Sequence, residues 1–480
     1  MARISRREWL KGAAALAALQ GGMSAGAEVG LGLPAGRPAV NLRHFRSTAV
    51  EALIAKTKPQ IRDETLAVIF ENCFPNTLDT TVYGGTVDGK PDTYVVTGDI
   101  DAMWLRDSSA QVWPYVALAK EDAELRQLLE GLIRRQARMI LIDPYANAFM
   151  RDEKQPPLIW AVLDKTEHHA GVGERKWEVD SLCYPLRLAH GYWKATGDTK
   201  PFDPVWKDAA WTIVRTFREQ QRKKDRGPYS FERDSAVPYD TVALSGFGNP
   251  ARPVGMIFSM FRPSDDACIY PLFVPANLFA VTSLRKLAEM AAHVLDDAKL
   301  ATEASGLAME VERALEIHGR VHHEKFGEIW AYEVDGYGNA LMMDDANAPG
   351  LVSMAYLGCA RAEDPLYRRT RAFALSDSNP YFFKGKVAEG VGGPHEGMNM
   401  VWPMGIMYRA LTSTDEAEIR TCLRWLRDST AATGFMHESF DKDNASSFTR
   451  SWFAWANTLL GELVLKLAKE RPALLGSKLD

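Results

Sequence analysis

The sequence predicts an all-α protein in which helical hairpins close into a ring, an α/α toroid with inner and outer helices. Strand signals are scarce, and the two ends of the chain supply the helices of a sixth hairpin. The strongest observation is that apolar helical stretches meet at five short acidic turns, which lie at 116–125, 193–199, 292–300, 357–365 and 408–417.

The acidic turns predict where each second helix begins. Acids just after a turn cap the next helix and suit its positive N-terminal end. So short a turn also forces the two helices to run antiparallel. After the first turn, Leu125, Leu128 and Leu132 fall on one stripe, whereas Arg126 and Glu130 face away. This amphipathic pattern is typical of an outer helix.

The first helix of each hairpin is more uniformly apolar, as an inner helix should be, and 401–411 is an example. Helices at 48–58 and 60–73, separated by Pro59, pair with a helix at 451–469 to complete the ring. These end helices predict the sixth hairpin.

The remaining elements are minor. Short strands are expected at 93–97, at 328–334 and near Val242, as hairpins in the rim loops. No long Pro, Ser or Gly-rich linker interrupts residues 75–470. We therefore expect one catalytic domain over 45–470 and a tail over 471–480, with two separate helical domains as the alternative.

The first residues are typical of an export signal. Arg6 and Arg7 begin a twin-arginine motif, an Ala/Leu-rich segment follows, and Ala25-Gly26-Ala27 resembles a cleavage site. This predicts a signal peptide over 1–27 and a flexible leader over 28–44. The mature protein would then be periplasmic or secreted, folded before transport and outside the membrane. An amphipathic N-terminal helix is the alternative.

Composition excludes several classes of protein. The 480 residues include 62 acids and 57 bases, without a basic run, which argues against nucleic acid or an anionic membrane as a partner. The five cysteines form no C-x-x-C pair, so a zinc ribbon or redox motif is excluded and free, mostly buried thiols are expected. No H-E-x-x-H, Walker loop or dinucleotide motif occurs, so we expect neither metal nor cofactor.

Long connections precede the inner helices, so they emerge on the same rim of the ring. These connections carry acids mixed with Trp, Phe, His and Arg, which suit a sugar because carboxylates bind its hydroxyls and rings cover its C–H faces. The motifs lie at 97–107, 177–180, 261–266, 393–399 and 434–440.

Two carboxyls of opposite protonation state are the minimum for hydrolysing a glycosidic bond. Asp265 and Asp266 are adjacent, so mutual repulsion would raise the pKa of one of them, although either could simply cap the following helix. Glu438 is a candidate base, or else a solvated loop acid. The substrate-binding candidates, which could instead form structural ion pairs and polar networks, are Asp101, Trp104, Arg106, Asp107, Glu178, Asp266, His395, Glu396 and His437.

Four motifs together resemble those of glycoside hydrolase family 125, the exo-α-1,6-mannosidases of bacteria and fungi. They are Gly-Asp-Ile-Asp-Ala-Met-Trp-Leu-Arg-Asp-Ser at 98–108, Phe-Arg-Pro-Ser-Asp-Asp-Ala at 261–267, His-Glu-Gly-Met at 395–398 and His-Glu-Ser-Phe at 437–440. The resemblance covers about residues 45–470. It implies an (α/α)6 barrel and metal-independent, inverting removal of terminal α-1,6-linked mannose from α-mannosides.

The resemblance also implies roles for two residues. The general acid of the family falls within 264–266 and is assigned to Asp265, with Asp266 as the alternative, and the general base corresponds to Glu438. Two rival functions stay open. One is another α/α-toroid glycosidase, specific for uronides or glucosides, and the other is a secreted glycan-binding protein without activity.

Overall fold

The computed structural model describes residues 36–479, and it is an (α/α)6 barrel. The predicted signal peptide over 1–27 lies outside the described residues. The helices are α1 (Thr48–Thr57), α2 (Glu64–Cys73), α3 (Asn76–Thr80), α4 (Leu105–Val112), α5 (Ala123–Ile142), α6 (Val179–Thr196), α7 (Pro204–Gln220), α8 (Val274–His293), α9 (Ala298–His318), α10 (Pro365–Ala374), α11 (Pro403–Leu411), α12 (Glu416–Asp428), α13 (Ala454–Glu470) and α14 (Pro472–Leu475).

The inner helices form a closed ring. Helix α4 contacts α6, which contacts α8, and α11 contacts α13, which returns to α4. The fourth inner position differs from the expected helix, because only a 3-10 turn, Val352–Met354, lies between α8 and α11 and contacts both. Pro349 and Gly350 before this turn and Gly358 after it disfavour a longer helix.

Four of the five predicted acidic turns contain the cap of an outer helix, whereas the second outer helix is capped by Asp203, just beyond the predicted turn at 193–199. A single aspartate caps each of α5, α7, α9, α10 and α12 by accepting a hydrogen bond from a backbone N–H of the first turn. These five residues are Asp122, Asp203, Asp297, Asp364 and Asp415. At the other end of the chain, Asp63 caps α2, so this helix begins at Glu64 rather than at the expected residue 60.

Short antiparallel strands lie in the connections. They are β1 (Val82–Val87), β2 (Lys90–Val95), β3 (Met103–Trp104), β4 (Ala148–Phe149), β5 (Val172–Glu174), β6 (Leu272–Phe273), β7 (Arg320–His323), β8 (Gly327–Trp330), β9 (Glu333–Val334), β10 (Ala340–Leu341), β11 (Phe382–Lys384), β12 (Glu389–Val391), β13 (Met400–Val401), β14 (Phe440–Asp441) and β15 (Asn444–Phe448). Their sheets are β1-β2, β3-β4-β5, β6-β9-β10, β7-β8, β11-β12 and β13-β14-β15.

Two of the three expected strand regions are confirmed. The one at 93–97 is the end of the β1-β2 hairpin, and the one at 328–334 is divided between β8 and β9. The expectation near Val242 is wrong, because the chain turns there at Ala243–Gly246 with positive φ angles at Leu244 and Ser245.

Both ends of the described chain pack against the barrel. The predicted leader is described only over residues 36–44. Arg37 in this segment donates hydrogen bonds to Glu51 in α1 and Asp79 in α3, which hold the segment against the barrel. In the predicted tail, Leu474 and Leu479 are buried. The domain boundaries themselves stay predictions.

Two sequence expectations concern cysteines and membranes. All five cysteines are free, as predicted, and Cys73, Cys183 and Cys422 are buried. Within residues 36–479, no helix has the length and hydropathy that are needed to span a bilayer.

Candidate active site

The segments that enter the inner helices meet in one pocket on the rim. Residues just before or within the first turn of α4 lie beside residues from the loops before α8, α11 and α13. This is the convergence that the direction of the long connections predicts. The pocket is lined by Thr97, Trp104, Arg106, Asp107, Pro263, Ser264, Asp265, Asn347, His395, Trp402, Glu438, Arg450 and Phe453.

Asp265 reaches the pocket from a strained turn. Its φ angle is 65°, a left-handed conformation that is costly for a residue with a Cβ atom. The turn is held because the Asp265 N–H donates to the Arg262 carbonyl at 2.9 Å and the buried Lys176 ammonium donates to the Asp265 carbonyl at 2.8 Å. The backbone is therefore fixed where the carboxyl enters the pocket.

The Asp265 carboxyl lies among hydrogen-bond donors. Its Oδ1 accepts from Arg106 Nη2 and from Asn147 Nδ2, both at 3.1 Å. An oxygen that already accepts two N–H groups is a poor place for a proton, so a proton on this carboxyl belongs on Oδ2. The carboxyl is almost completely buried.

Glu438 lines the same pocket from the loop before α13. Its Oε1 accepts from Arg450 Nη1 at 3.3 Å. Arg450 also donates to the Thr97 carbonyl at 2.7 Å and pairs with Asp99, so it ties the first rim loop to the last. Gly98 has a φ angle of 82°, and a Cβ atom there would lie 3.1 Å from Arg450 Nη2, so glycine suits both the backbone and the packing.

Arg106 is surrounded by four buried carboxyls. The nearest nitrogen–oxygen distances are 2.7 Å to Asp107, 3.2 Å to Glu178, 3.5 Å to Asp180 and 3.1 Å to Asp265. Burial raises the pKa of Glu178 well above its ordinary value, and it raises the pKa of Asp180 to about 7, while Arg106 opposes both shifts. Some of these carboxyls therefore keep a proton at neutral pH.

The structure brings six of the eleven predicted site residues into the pocket. They are Trp104, Arg106, Asp107, Asp265, His395 and Glu438. Glu178 and Glu396 are buried but do not line it, and Glu178 is completely inaccessible behind Arg106. The expectation that Glu178 binds substrate directly does not fit this position.

Asp101 and His437 also lie elsewhere. The Asp101 side chain is 66% exposed and contacts Arg151 at 3.4 Å, because it points outward from the first rim loop. His437 is buried and stacks on Phe448 with ring centroids 3.8 Å apart, and its ring nitrogens face the carbonyls of Arg450 and Thr430. Its position therefore supports the loop that carries Glu438.

The two adjacent aspartates, Asp265 and Asp266, occupy different positions relative to the pocket. Asp265 lines the pocket, whereas Asp266 is 1% exposed and lies behind the wall, with its Oδ1 2.9 Å from His395 Nδ1. His395 itself lines the pocket, so Asp266 can orient this ring. The geometry favours Asp265 over Asp266 as the carboxyl that faces a bound sugar.

Seven pocket residues were not named individually as site candidates, although Thr97, Pro263 and Ser264 lie within the predicted motifs. Arg450 and Phe453 come from a stretch, 450–453, that has no acid beside its aromatic residues. Asn347 follows a pair of acids, Asp344 and Asp345, and this could have marked it. The others are Thr97, Pro263, Ser264 and Trp402, and Asn147 contacts Asp265 without lining the pocket.

Comparison with protein families identifies this arrangement. The model of the metal-independent α-mannosidases, glycoside hydrolase family 125, matches residues 63–465. The chain belongs to this family. A family 125 chain is a glycoside hydrolase, and the described residues contain no group of three or more His, Cys, Asp or Glu side chains placed to bind a metal ion.

Individual relatives agree with the assignment to family 125. The meiotically up-regulated gene 157 protein of Schizosaccharomyces pombe is 43% identical over 465 residues, which is 93% of this chain and 90% of that protein. A metal-independent α-mannosidase of Streptococcus pneumoniae, solved as a non-productive complex with α-1,6-mannobiose, is 40% identical with a TM-score of 0.85. The match covers 89% of this chain and all of that one.

A more distant structure shares the fold alone. A bacterial glucoamylase complexed with acarbose superposes with a TM-score of 0.51 at 11% identity, over 85% of this chain and 57% of that chain. The helical barrel is therefore common to enzymes with different sequences, and the assignment to family 125 depends on the closer matches.

The position of Asp180 predicts a pH dependence of stability. Burial raises its pKa to about 7, so the folded state binds a proton that the unfolded chain releases near pH 4. The stability from this proton is fully present below about pH 4 and is lost as the pH rises through about 7, by on the order of 1 kcal/mol per pH unit. Asp180→Asn should flatten this decline in urea unfolding measured from pH 4 to 8.

The exposed Asp101 provides the matched control. Asp101→Asn should leave the decline unchanged, and Asp344, whose pKa burial also raises to about 7, remains in every variant. Equal slopes in the wild type and in Asp180→Asn would show that Asp180 is ionised in the folded protein throughout this range.

Proposed function

We propose that this protein is an exo-α-1,6-mannosidase that removes a non-reducing terminal mannose by single-displacement, inverting hydrolysis. Asp265 acts as the general acid and Glu438 as the general base. The observation that carries the assignment of these roles is that the two carboxyls, from loops before different inner helices, line one pocket. Family membership supplies the α-mannoside substrate class.

The burial of the pocket favours attack at a chain end. Trp104, Asp265 and Glu438 are each at most 5% exposed, so the lining side chains are covered by the surrounding loops. A covered pocket accepts a terminal sugar, whereas cleavage inside a chain needs an open groove. The α-1,6 linkage is supported by the pneumococcal relative, which was solved with α-1,6-mannobiose.

The proposed mechanism gives each step to a group that lines the pocket. Asp265 donates a proton from Oδ2 to the glycosidic oxygen as the bond to the anomeric carbon breaks. A water molecule attacks this carbon from the other side, and Glu438 accepts its proton. Trp104, Trp402 and Phe453 provide the apolar wall, while Asp107, Asn347 and His395 provide polar atoms for the hydroxyls.

The pocket does not favour a uronide. Both arginines that line it, Arg106 and Arg450, are already paired with carboxyls of the protein. A substrate carboxylate would need a cation that has no such partner. The same pairs argue against a uronide-specific enzyme of this fold.

Asp265→Asn and Glu438→Gln should each lower kcat on α-1,6-mannobiose by about 10² to 10⁴-fold, because each removes one proton transfer. Both substitutions preserve shape, so thermal unfolding should change little. Asp101→Asn, an identical substitution on an exposed rim position, is the control and should keep normal turnover. Normal turnover by either of the first two variants would remove that residue from its proposed role.

A substrate panel tests the linkage and the stereochemistry together. We expect cleavage of α-1,6-mannobiose, but not of α-1,2-mannobiose or an α-glucoside, and excess chelator should not change the rate. Proton NMR of the first product should show β-mannose, because single displacement inverts the α-anomer. Initial release of α-mannose would contradict the mechanism, and binding without cleavage would support the glycan-binding alternative.

We also propose that the chain is exported by the twin-arginine route and acts in the periplasm or outside the cell. The support is the sequence of residues 1–27, which contains the Arg6-Arg7 pair followed by an Ala/Leu-rich segment. Replacing both arginines with lysine should retain the full-length protein in the cytoplasm of a bacterial host, as cell fractionation would show. Unchanged export of this double variant would contradict the proposal.

A further inference from the structure

Glu178 lies directly behind the proposed general acid. It is completely buried, and both of its carboxylate oxygens accept from Arg106 Nη2, at 3.2 and 3.3 Å. The same nitrogen donates to Asp265 Oδ1 at 3.1 Å, so the carboxyls of Glu178 and Asp265 converge on one nitrogen of Arg106. Ser181 fixes the far side by donating to Glu178 Oε2 at 2.7 Å.

The position of Arg106 creates a problem for acid catalysis. A guanidinium 3.1 Å from Asp265 favours the ionised carboxylate, whereas a general acid must enter the reaction protonated. The other three carboxyls around Arg106 offset this effect. With four carboxyls for one guanidinium, complete ionisation would leave an excess of negative charge in a buried volume.

Further groups face this cluster from the neighbouring elements. Lys176 donates to the Asp265 carbonyl at 2.8 Å and to Asp240 at 2.9 Å, so its charge is shared with Asp240. Cys183, Tyr184 and Cys268 lie near Asp180, and burial raises the pKa of each well above its ordinary value, so they stay neutral. The ionised groups that decide the proton balance are therefore Arg106, Lys176 and the carboxyls.

We propose that Glu178 is a positioning residue for the general acid, because it competes with Asp265 for the same nitrogen of Arg106 and so keeps Asp265 protonated and able to donate. Asp180, on the far side of Arg106, has the same effect at longer range. Its oxygens lie 3.5 Å or more from the guanidinium, and they make no hydrogen bond to another residue within the described chain. This inference depends on the proposed role of Asp265.

The proton balance of a turnover follows. The proton on Asp265 Oδ2 moves to the glycosidic oxygen as the bond from that oxygen to the anomeric carbon breaks. Asp265 is then ionised, and Glu438 has gained one proton of the attacking water. Proton exchange through water in the pocket restores the starting state. Glu178 never touches the sugar, because it does not line the pocket.

The experiment compares two substrates that differ in their need for an acid. The leaving group of α-1,6-mannobiose is a sugar alkoxide that must be protonated. The fluoride ion of α-mannosyl fluoride is a good leaving group and needs little acid catalysis. In Glu178→Gln the side chain carries no negative charge. The positive charge of Arg106 then stabilises the ionised form of Asp265 more strongly, so the pKa of Asp265 falls. The alkaline limb of kcat/KM on mannobiose should therefore move to lower pH by about one unit, a tenfold loss at alkaline pH.

Activity on α-mannosyl fluoride should change by less than about threefold in the same variant, since this reaction needs little acid catalysis. Asp180→Asn is the second variant, because it leaves the contacts of Asp265 intact, and its alkaline limb should move in the same direction by a smaller amount. Glu462→Gln is the matched control. Glu462 is a carboxyl in α13 that accepts from Tyr356 at 2.7 Å and lies outside the pocket.

The outcomes separate this inference from the proposed function. An unchanged alkaline limb in both Glu178→Gln and Asp180→Asn, with Asp265→Asn inactive on mannobiose, would overturn the inference and leave Asp265 as the acid. Equal losses on both substrates would show that Glu178 is only structural. Normal activity of Asp265→Asn on mannobiose would instead contradict the proposed function itself.

Discussion

The contact between the first and last inner helices, α4 and α13, is the constraint on which the site depends. It closes the ring, and it brings the loop that starts at Thr97 beside the loop that carries Glu438. Arg450 makes this junction specific, because one guanidinium binds the Thr97 carbonyl, Asp99 and Glu438. A barrel open at this point would separate the proposed base from the wall that holds Arg106.

The two arginines of the pocket hold their carboxyls in different charge environments. Arg106 faces four carboxyls that are each at most 5% exposed, so negative charge is in excess and protons are retained. Arg450 faces Glu438 and Asp99, and the Asp99 side chain is 39% exposed to solvent. An inverting glycosidase needs one carboxyl protonated and the other ionised. The unequal number of acids around two similar cations is consistent with the proposed roles of Asp265 as the acid and Glu438 as the base.

Much of the fold was predictable because its signals are local. An aspartate after a short turn caps a helix whatever lies around it, and five such residues begin the outer helices. The direction of the chain then places the long loops on one rim. The missing fourth inner helix was harder, since Leu351, Val352 and Met354 look helical and only the surrounding Pro349, Gly350 and Gly358 oppose it.

The site was less predictable than the fold, because a motif does not show which way each side chain points. In the first motif, Arg106 and Asp107 enter the pocket while Asp101 faces solvent. Glu178 was grouped with the substrate ligands, yet it lies one layer deeper, and Arg450 carried no signal at all. Charge and residue type identified the loops, but the depth of each carboxyl depends on contacts between distant segments.

The adjacent aspartates show how the backbone decides between similar residues. In an extended chain, neighbouring side chains point to opposite faces, and the positive φ angle at Asp265 bends the chain sharply between them. Lys176 stabilises this bend by binding the Asp265 carbonyl, which leaves the carboxyl to Arg106 and Asn147. Asp266 is then turned towards His395 behind the wall. One strained residue thus separates a proposed acid from a neighbour of the same chemistry.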